Sequence, residues 1–428
     1  MDTPPRGRAA AQAQLTLADA KLDLLAALDP LLILSVREPC FAAVVGHTLQ
    51  NKIDTWPLLD QFNIQDRIIA TLDYAFPEQL EVEDDFCCYL RDNQYDLSHC
   101  FAMTEVGTLS ETGFTPDPSV QKLLAYTIPN TLHEINLMPK PMDSGHVLEK
   151  LAASVAWLRN AWQATGNPGG RIYINIVDLM DTFMADRDYA LDVLELLATL
   201  PVDGLSFEDG RGSFFPFQVG AVVAAAKAVL APGQAILFHC HSGNGMDNAS
   251  VIEALLQGAN GYWGGMERTS STIGHASVGE LVANLVRAGN PNMARRFSLP
   301  DLLPVSAKMY SINNNLPDAP DDWPIAGYDA YRTVLSDFTQ TDRRKMDLPP
   351  QVIGGTGQFR IAPVGSDISV VQERVYKVVR VKIERDLARQ MILLMRADLR
   401  QGLRIVYDEP EQLTRLYRRA LLATTEPA

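Results

Sequence analysis

Apolar positions along this chain alternate between two patterns. Short continuous apolar runs at 31–36, 67–72, 100–106, 123–128, 171–177, 204–207, 234–238 and around 262–263 read as strands buried on both faces. Between them, near 47–62, after Pro77, and over 145–164, 188–200, 217–230, 249–257 and 278–288, apolar residues recur three and four apart and read as amphipathic helices. One more helix over 15–28 precedes the first strand and stops at Asp29-Pro30. This is strand-then-helix alternation, about eight units in roughly 260 residues, and it predicts a parallel sheet with helices outside. That count fits a closed (β/α)8 TIM barrel better than an open doubly wound sheet. No GxGxxG follows the first strand, which argues against a dinucleotide-binding sheet.

The alternation fails past residue 290. The stretch 313–324 is rich in Asn, Asp and Pro and reads as a linker. A Gly-rich turn at 354–357 and a basic amphipathic helical stretch at 370–400 follow. The expected organisation is an N-terminal arm and helix over 1–30, a catalytic barrel over 31–312, and a linker with a mostly helical appendage over 313–428. The appendage reads as a packing element, with a homodimer expected through it.

Charge narrows the partners. Lys+Arg 37 against Asp+Glu 52 gives −15, which argues against nucleic acid or an anionic membrane as partner. The five cysteines are odd in number and contain no CxxC, so neither a disulfide framework nor a structural zinc site is expected. No apolar run approaches the roughly 20 residues that span a bilayer, and residues 1–14 lack the apolar core of a signal peptide. A cytoplasmic protein is expected.

In such barrels the reactive groups sit at the C-terminal ends of the strands. The most informative of these ends is Phe238-His239-Cys240-His241-Ser242-Gly243-Asn244-Gly245. Residues two apart on a strand share a face, so His239 and His241 present two imidazoles to one space with Cys240 turned away. Such a pair is half a site for a divalent metal. The other strand ends carry Arg37-Glu38, Thr131-Leu132-His133, Asp178, Glu208-Asp209-Gly210-Arg211, Glu267-Arg268 and Gly274-His275. Four of the seven histidines fall on one rim. Glu38 would complete a mixed nitrogen–oxygen donor set. Arg37 is either a rim salt bridge or a fork for an enolate oxygen or carboxylate. His133 is either a satisfied core histidine or a catalytic one. Asp209 and Arg211 either pair with each other or meet substrate. Glu267 and Arg268 either brace the last loop or meet substrate.

Together these stretches resemble the DRE-TIM metallolyases, the group of isopropylmalate synthase, homocitrate synthase and hydroxymethylglutaryl-CoA lyase. Arg37-Glu38 looks like the family's Arg-Asp/Glu, and Thr131-Leu132-His133 like its Ser-x-His. His239-Cys240-His241 through Gly258-Ala259 is similar to its HxHND signature, and Gly265-Met266-Glu267-Arg268 with Gly274-His275-Ala276 to its GxGERxGNA. The resemblance implies a divalent ion (Zn, Mn, Mg or Fe) on Glu38, His239 and His241, with His275 as a fourth ligand where the family has Asn. It implies Arg37 at the enolate, with His133 and Asp178 as further catalytic candidates. The implied substrates are a 2-oxo acid and an acyl-CoA, such as acetyl-CoA, joined in a Claisen-type condensation to a 2-substituted malate or citrate-like product. The alternatives are a carbon–carbon lyase and a non-catalytic metal-binding relative. Several positions depart from the pattern: Ser242-Gly243 replaces Asn-Asp, Val177-Asp178 replaces Glu-Asp, and Asp209-Gly210 replaces Asp-Thr. Tyr331-Arg332 stands where the synthases carry a histidine. Asp178, Tyr331 and Cys40 are the candidates to supply the missing acid–base function.

Overall fold

The computed structural model describes residues 6–72, 81–138, 144–167, 169–325, 327, 329–330, 332–336, 348–355 and 359–425. The chain divides into two compact units, 1–318 and 319–428. The first contains strands β1 (Leu31–Ser35), β2 (Arg67–Thr71), β3 (Cys100–Glu105), β4 (Thr108–Ser110), β5 (Gly113–Thr115), β6 (Asn130–Ile135), β7 (Ile172–Ile176), β8 (Gly204–Asp209), β9 (Ala235–Cys240) and β10 (Gly261–Gly264). Eight of these close into a parallel barrel in the order β1-β10-β9-β8-β7-β6-β3-β2, while β4 and β5 form a separate antiparallel hairpin. This is the (β/α)8 barrel expected from the alternation.

Side chains on alternate strand positions fill the barrel. Ile33, Ile68, Phe101, Met103, Leu132, Tyr173, Leu237 and Trp263 form one buried cluster. Burying each such side chain contributes about 1.5–3 kcal/mol relative to leaving it exposed. The cluster is therefore a packed floor beneath the C-terminal mouth, and polar groups above it stand on rigid supports.

One expected strand is a helix. Residues 123–128 were expected as the fourth strand, but Pro118–Ala125 is helical, with Asp117 accepting the Ser119 N–H at 2.9 Å as its cap. Val120 and Leu123 share its buried face. A short apolar run is compatible with either element, and here the Asp-Pro start selects the helix. The fourth barrel strand is β6 instead, so Thr131-Leu132-His133 lies inside a strand and Glu134-Ile135 ends it.

The N-terminal helix, Arg6–Ala27, starts earlier than expected, and its end is tied down by Asn290 Nδ2 donating to the carbonyls of Leu25 and Leu28 at 2.8 and 2.7 Å. In the second unit, the helices Ile368–Val379, Arg385–Arg400 and Pro410–Thr425 pack around Val371, Val375, Met391, Met395, Leu413 and Leu416. The helical stretch expected over 370–400 is broken at Arg380, whose backbone is left-handed at φ 64°.

Candidate functional site

The strand register decides which side chains face the barrel axis. In β8–β9, Glu208 pairs with His239 and Asp209 with Cys240. Registered neighbours share a face, so Glu208 points inward with His239 while Asp209 points outward with Cys240. In β6–β7, Glu134 pairs with Asn175, and in β3–β6, Glu105 pairs with Glu134. The C-terminal mouth is a cavity of about 580 Å³ whose lining includes Arg37, Glu38, Glu134, Glu208, His239 and His241.

Glu38, His239 and His241 each offer a ligand atom, and all three atoms lie within 4.8 Å of one another. His239 Nδ1 donates to the Trp263 carbonyl at 2.9 Å and His241 Nδ1 to the Gly274 carbonyl at 3.0 Å. Those bonds place the single proton of each neutral ring on Nδ1, leaving both Nε2 atoms as bare lone pairs. The two Nε2 atoms face each other at 3.2 Å. Two lone pairs at that distance repel unless a proton or a metal ion lies between them, and the adjacent Glu38 carboxylate would add a third donor, with negative charge, to a metal ion held there. Burial, then the neighbouring His241 and His275, hold His239 well below the ordinary imidazole range, so it stays neutral. Its ring also stacks on Trp263 at 3.6 Å, which fixes its orientation. For Glu38, burial is the largest effect and raises the pKa, but Arg37, His275 and His241 together outweigh it, so the carboxyl sits below its ordinary value. This donor set fits a divalent ion of the zinc, manganese or iron type.

Arg37 is held from behind. Its guanidinium donates to Glu38 and to the Thr71 hydroxyl, and it lies 5.0 Å over the Phe41 ring. The Thr71 N–H donates to Glu83 at 2.5 Å, and Glu83 pairs with the fully buried Lys52 at 3.2 Å.

Across the mouth, Asn175 Nδ2 donates to Glu208 at 2.7 Å and to Glu134 at 3.2 Å. Burial and the nearby Glu134 push the Glu208 carboxyl up to about 8, so it is a neutral acid at pH 7. Glu134 is also raised, by burial first. Glu134 and Asn175 were not among the candidate site residues, and Glu208 stood at its strand end with no role assigned. Alternation within one strand separates Glu208 from Asp209 but does not say which of them faces the histidines; the β8–β9 register decides that.

Several expected site residues lie elsewhere. His133 faces away from the axis, fully buried, with Nδ1 bonded to the Thr104 hydroxyl at 2.9 Å and Nε2 to the Ser154 hydroxyl at 2.8 Å. Both ring nitrogens are thereby used, so His133 is a packing residue. Asp178 accepts the N–H groups of Leu137 and Met138 at 2.8 and 2.6 Å, fixing a loop. Asp209 accepts those of Ser213 and Phe214 at 2.9 and 3.0 Å. Arg211 is exposed and outside the cavity lining. Its carbonyl lies against Gly243, where a Cβ would collide, which accounts for glycine at that point of the signature. Glu267 binds Thr269 and Asn313, and Arg268 forks onto Glu280 at 2.6 and 2.8 Å, so both brace loops. His275 lies beside the metal group: its Nδ1 accepts the Gly265 N–H at 3.3 Å, and its buried Nε2 has no hydrogen-bond partner among the described residues. Cys40 is outside the lining and its thiol is raised by burial. Tyr331 lies outside the described residues.

A closed parallel barrel whose C-terminal mouth gathers one carboxylate and two Nδ1-anchored imidazoles is a (β/α)8 barrel with the donor set of a metal centre. Its fold is that of the HMG-CoA lyases. The Bacillus subtilis enzyme superposes with a TM-score of 0.52 at 16% identity, covering 68% of this chain and 96% of that one. The Brucella melitensis enzyme gives 0.51 at 15%, covering 67% and 99%. The Acinetobacter baumannii enzyme, solved with coenzyme A and 3-methylmalate, gives 0.50 at 13%, covering 68% and 93%. No protein-family model matches the sequence, and no curated protein does either. Among the described residues, no helix is long and apolar enough to cross a membrane.

Proposed function

We propose that this chain is a divergent DRE-TIM metallolyase that joins an acyl-CoA, such as acetyl-CoA, to a 2-oxo acid, giving a 2-substituted malate or citrate-like product. The observation that carries the reading is the pair of Nε2 atoms 3.2 Å apart beside Glu38, a donor geometry that suits a divalent cation. Glu38, His239 and His241 would hold a divalent ion, which would supply Lewis-acid polarisation of the oxo carbonyl.

The chain's own residues supply an oxyanion charge and a proton; loss of the thioester's α-proton to a base and attack of water on the condensed thioester, which releases coenzyme A as free thiol, complete the balance. Arg37, braced by Thr71 and Glu38, places its positive charge at the cavity wall, where it stabilises the enolate oxygen of the thioester. Glu208 is the proton donor: neutral at pH 7, it delivers a proton to the oxygen that becomes the product hydroxyl as the new carbon–carbon bond forms. Asn175, bridging Glu208 and Glu134, keeps the acid aimed inward.

Cleavage of a 3-hydroxy acyl or 4-hydroxy-2-oxo acid is the same chemistry in reverse, with the Glu208 carboxylate taking the hydroxyl proton. The fold shared with HMG-CoA lyases favours keeping this second reading. A panel of 2-oxo acids with acetyl-CoA and added divalent metal tests the first: metal-dependent release of free thiol is expected. Release of pyruvate or acetoacetate from hydroxy acids, with no thiol in the forward assay, would establish cleavage instead. Protein that binds no divalent ion refutes both.

A further inference from the structure

The mouth contains a second cation that the chemistry above does not use. Lys150 lies on the helix Ser144–Thr165, is half-buried, and lines the same cavity as the metal group. It makes no hydrogen bond or ion pair to any described residue. Other cations of the barrel unit are paired away from the mouth: Lys52 with Glu83, Lys122 with Asp84, and Arg159 with Asp203. The wall of this cavity also carries Glu105, Glu134 and Glu208, but none of them forms an ion pair with Lys150, so its ammonium is open to an anionic group of a ligand.

Its position fixes which part of a ligand it meets. Around the ring β1-β10-β9-β8-β7-β6-β3-β2, the metal group is carried by the segments at β1 and β9, which flank β10. Four places round from β10 is β6, and the helix bearing Lys150 follows β6. Lys150 therefore faces the metal group across the mouth. A cavity of 580 Å³ is about 10 Å across if taken as a sphere, a usual size for a small-ligand site. A 2-oxo acid held by its oxo-acid end at Glu38, His239 and His241 would extend its far end toward the Lys150 side of the cavity.

We propose that Lys150 is the specificity residue for a second carboxylate, so that the 2-oxo acid this enzyme accepts is a dicarboxylate. The inference rests on the 2-oxo acid reading of the metal site. The test is calorimetric titration of the full-length, metal-loaded protein with 2-oxobutyrate, 2-oxoglutarate and free coenzyme A, for the wild type, Lys150→Met and Lys150→Arg. The expected result is wild-type preference for 2-oxoglutarate over 2-oxobutyrate by about tenfold or more, as for one partly desolvated ion pair. Lys150→Met should abolish that preference while leaving 2-oxobutyrate affinity unchanged, and Lys150→Arg should keep most of it. A wild type that binds both acids equally overturns this proposal alone. Loss of coenzyme A affinity in Lys150→Met, with the diacid preference intact, overturns it in favour of a phosphate contact. Metal-loaded protein that binds neither acid removes the 2-oxo acid reading and this proposal together.

Discussion

The buried pair behind Arg37 gives the sharpest test of how the site is held. The Lys52 ammonium is wholly inside the protein, donating to the Ile69 carbonyl at 2.9 Å and to Glu83 at 3.2 Å, and lying 5.0 Å over the Phe86 ring. Glu83 has one oxygen on Lys52 and the other on the Thr71 N–H. Glu83→Leu strands an ammonium in an apolar wall and frees a strand-end amide, a loss of about 3–5 kcal/mol. Lys52→Met strands the carboxylate and costs about the same. The double variant Lys52→Met/Glu83→Leu leaves no orphaned charge, so it should cost less than either single change, with a coupling of about 3 kcal/mol or more. Urea unfolding followed by circular dichroism measures all four corners of the cycle. Thr71 also accepts from Arg37, so the folded fraction of Glu83→Leu should lose turnover while still binding metal through Glu38, His239 and His241. A single change costing under about 1 kcal/mol, or a double variant equal to the sum of the singles, would refute the account.

Other outcomes follow from the same geometry. His239→Ala removes a ligand whose second nitrogen is already anchored, so metal affinity should fall by at least about 100-fold in equilibrium dialysis. Glu208→Gln should keep the metal and lose about 100-fold or more in turnover. Glu208 titrates at about 8 without a metal ion and lower beside one, so condensation should fall and cleavage should rise as pH rises through the loaded enzyme's Glu208 pKa, and either limb should vanish in Glu208→Gln. His133 and His47 are each depressed to about 4, mainly by burial, from an ordinary 6.5. Between those values the unfolded chain binds protons that the native state does not, so their contribution is full above 6.5 and is lost as pH falls toward 4. The slope is about 1.4 kcal/mol per pH unit per histidine at most. His133→Gln should flatten it in urea titrations between pH 4 and 6.5, provided the variant folds.

Much of the architecture was legible in the residues alone. The alternation of apolar runs with amphipathic stretches carries the barrel, because a strand buried on both faces and a helix buried on one write different periods into the chain. Spacing alone also brings His239 and His241 to one face, since that depends only on a period of two within one strand. Which groups stand opposite them did not follow from spacing. Glu208 and Asp209 are adjacent in sequence, as are His133 and Glu134, and one residue of register exchanges the inward face for the outward one. The outward members, Asp209 and His133, are held by backbone amides and hydroxyls; the inward members, Glu208 and Glu134, meet over Asn175. Arg268 pairs with Glu280 rather than with its sequence neighbour, and Lys150 enters the mouth from a helix. Local periodicity names the elements and their faces, whereas only closure of the ring determines which faces meet. Reactivity resides in those meetings, between side chains distant along the chain.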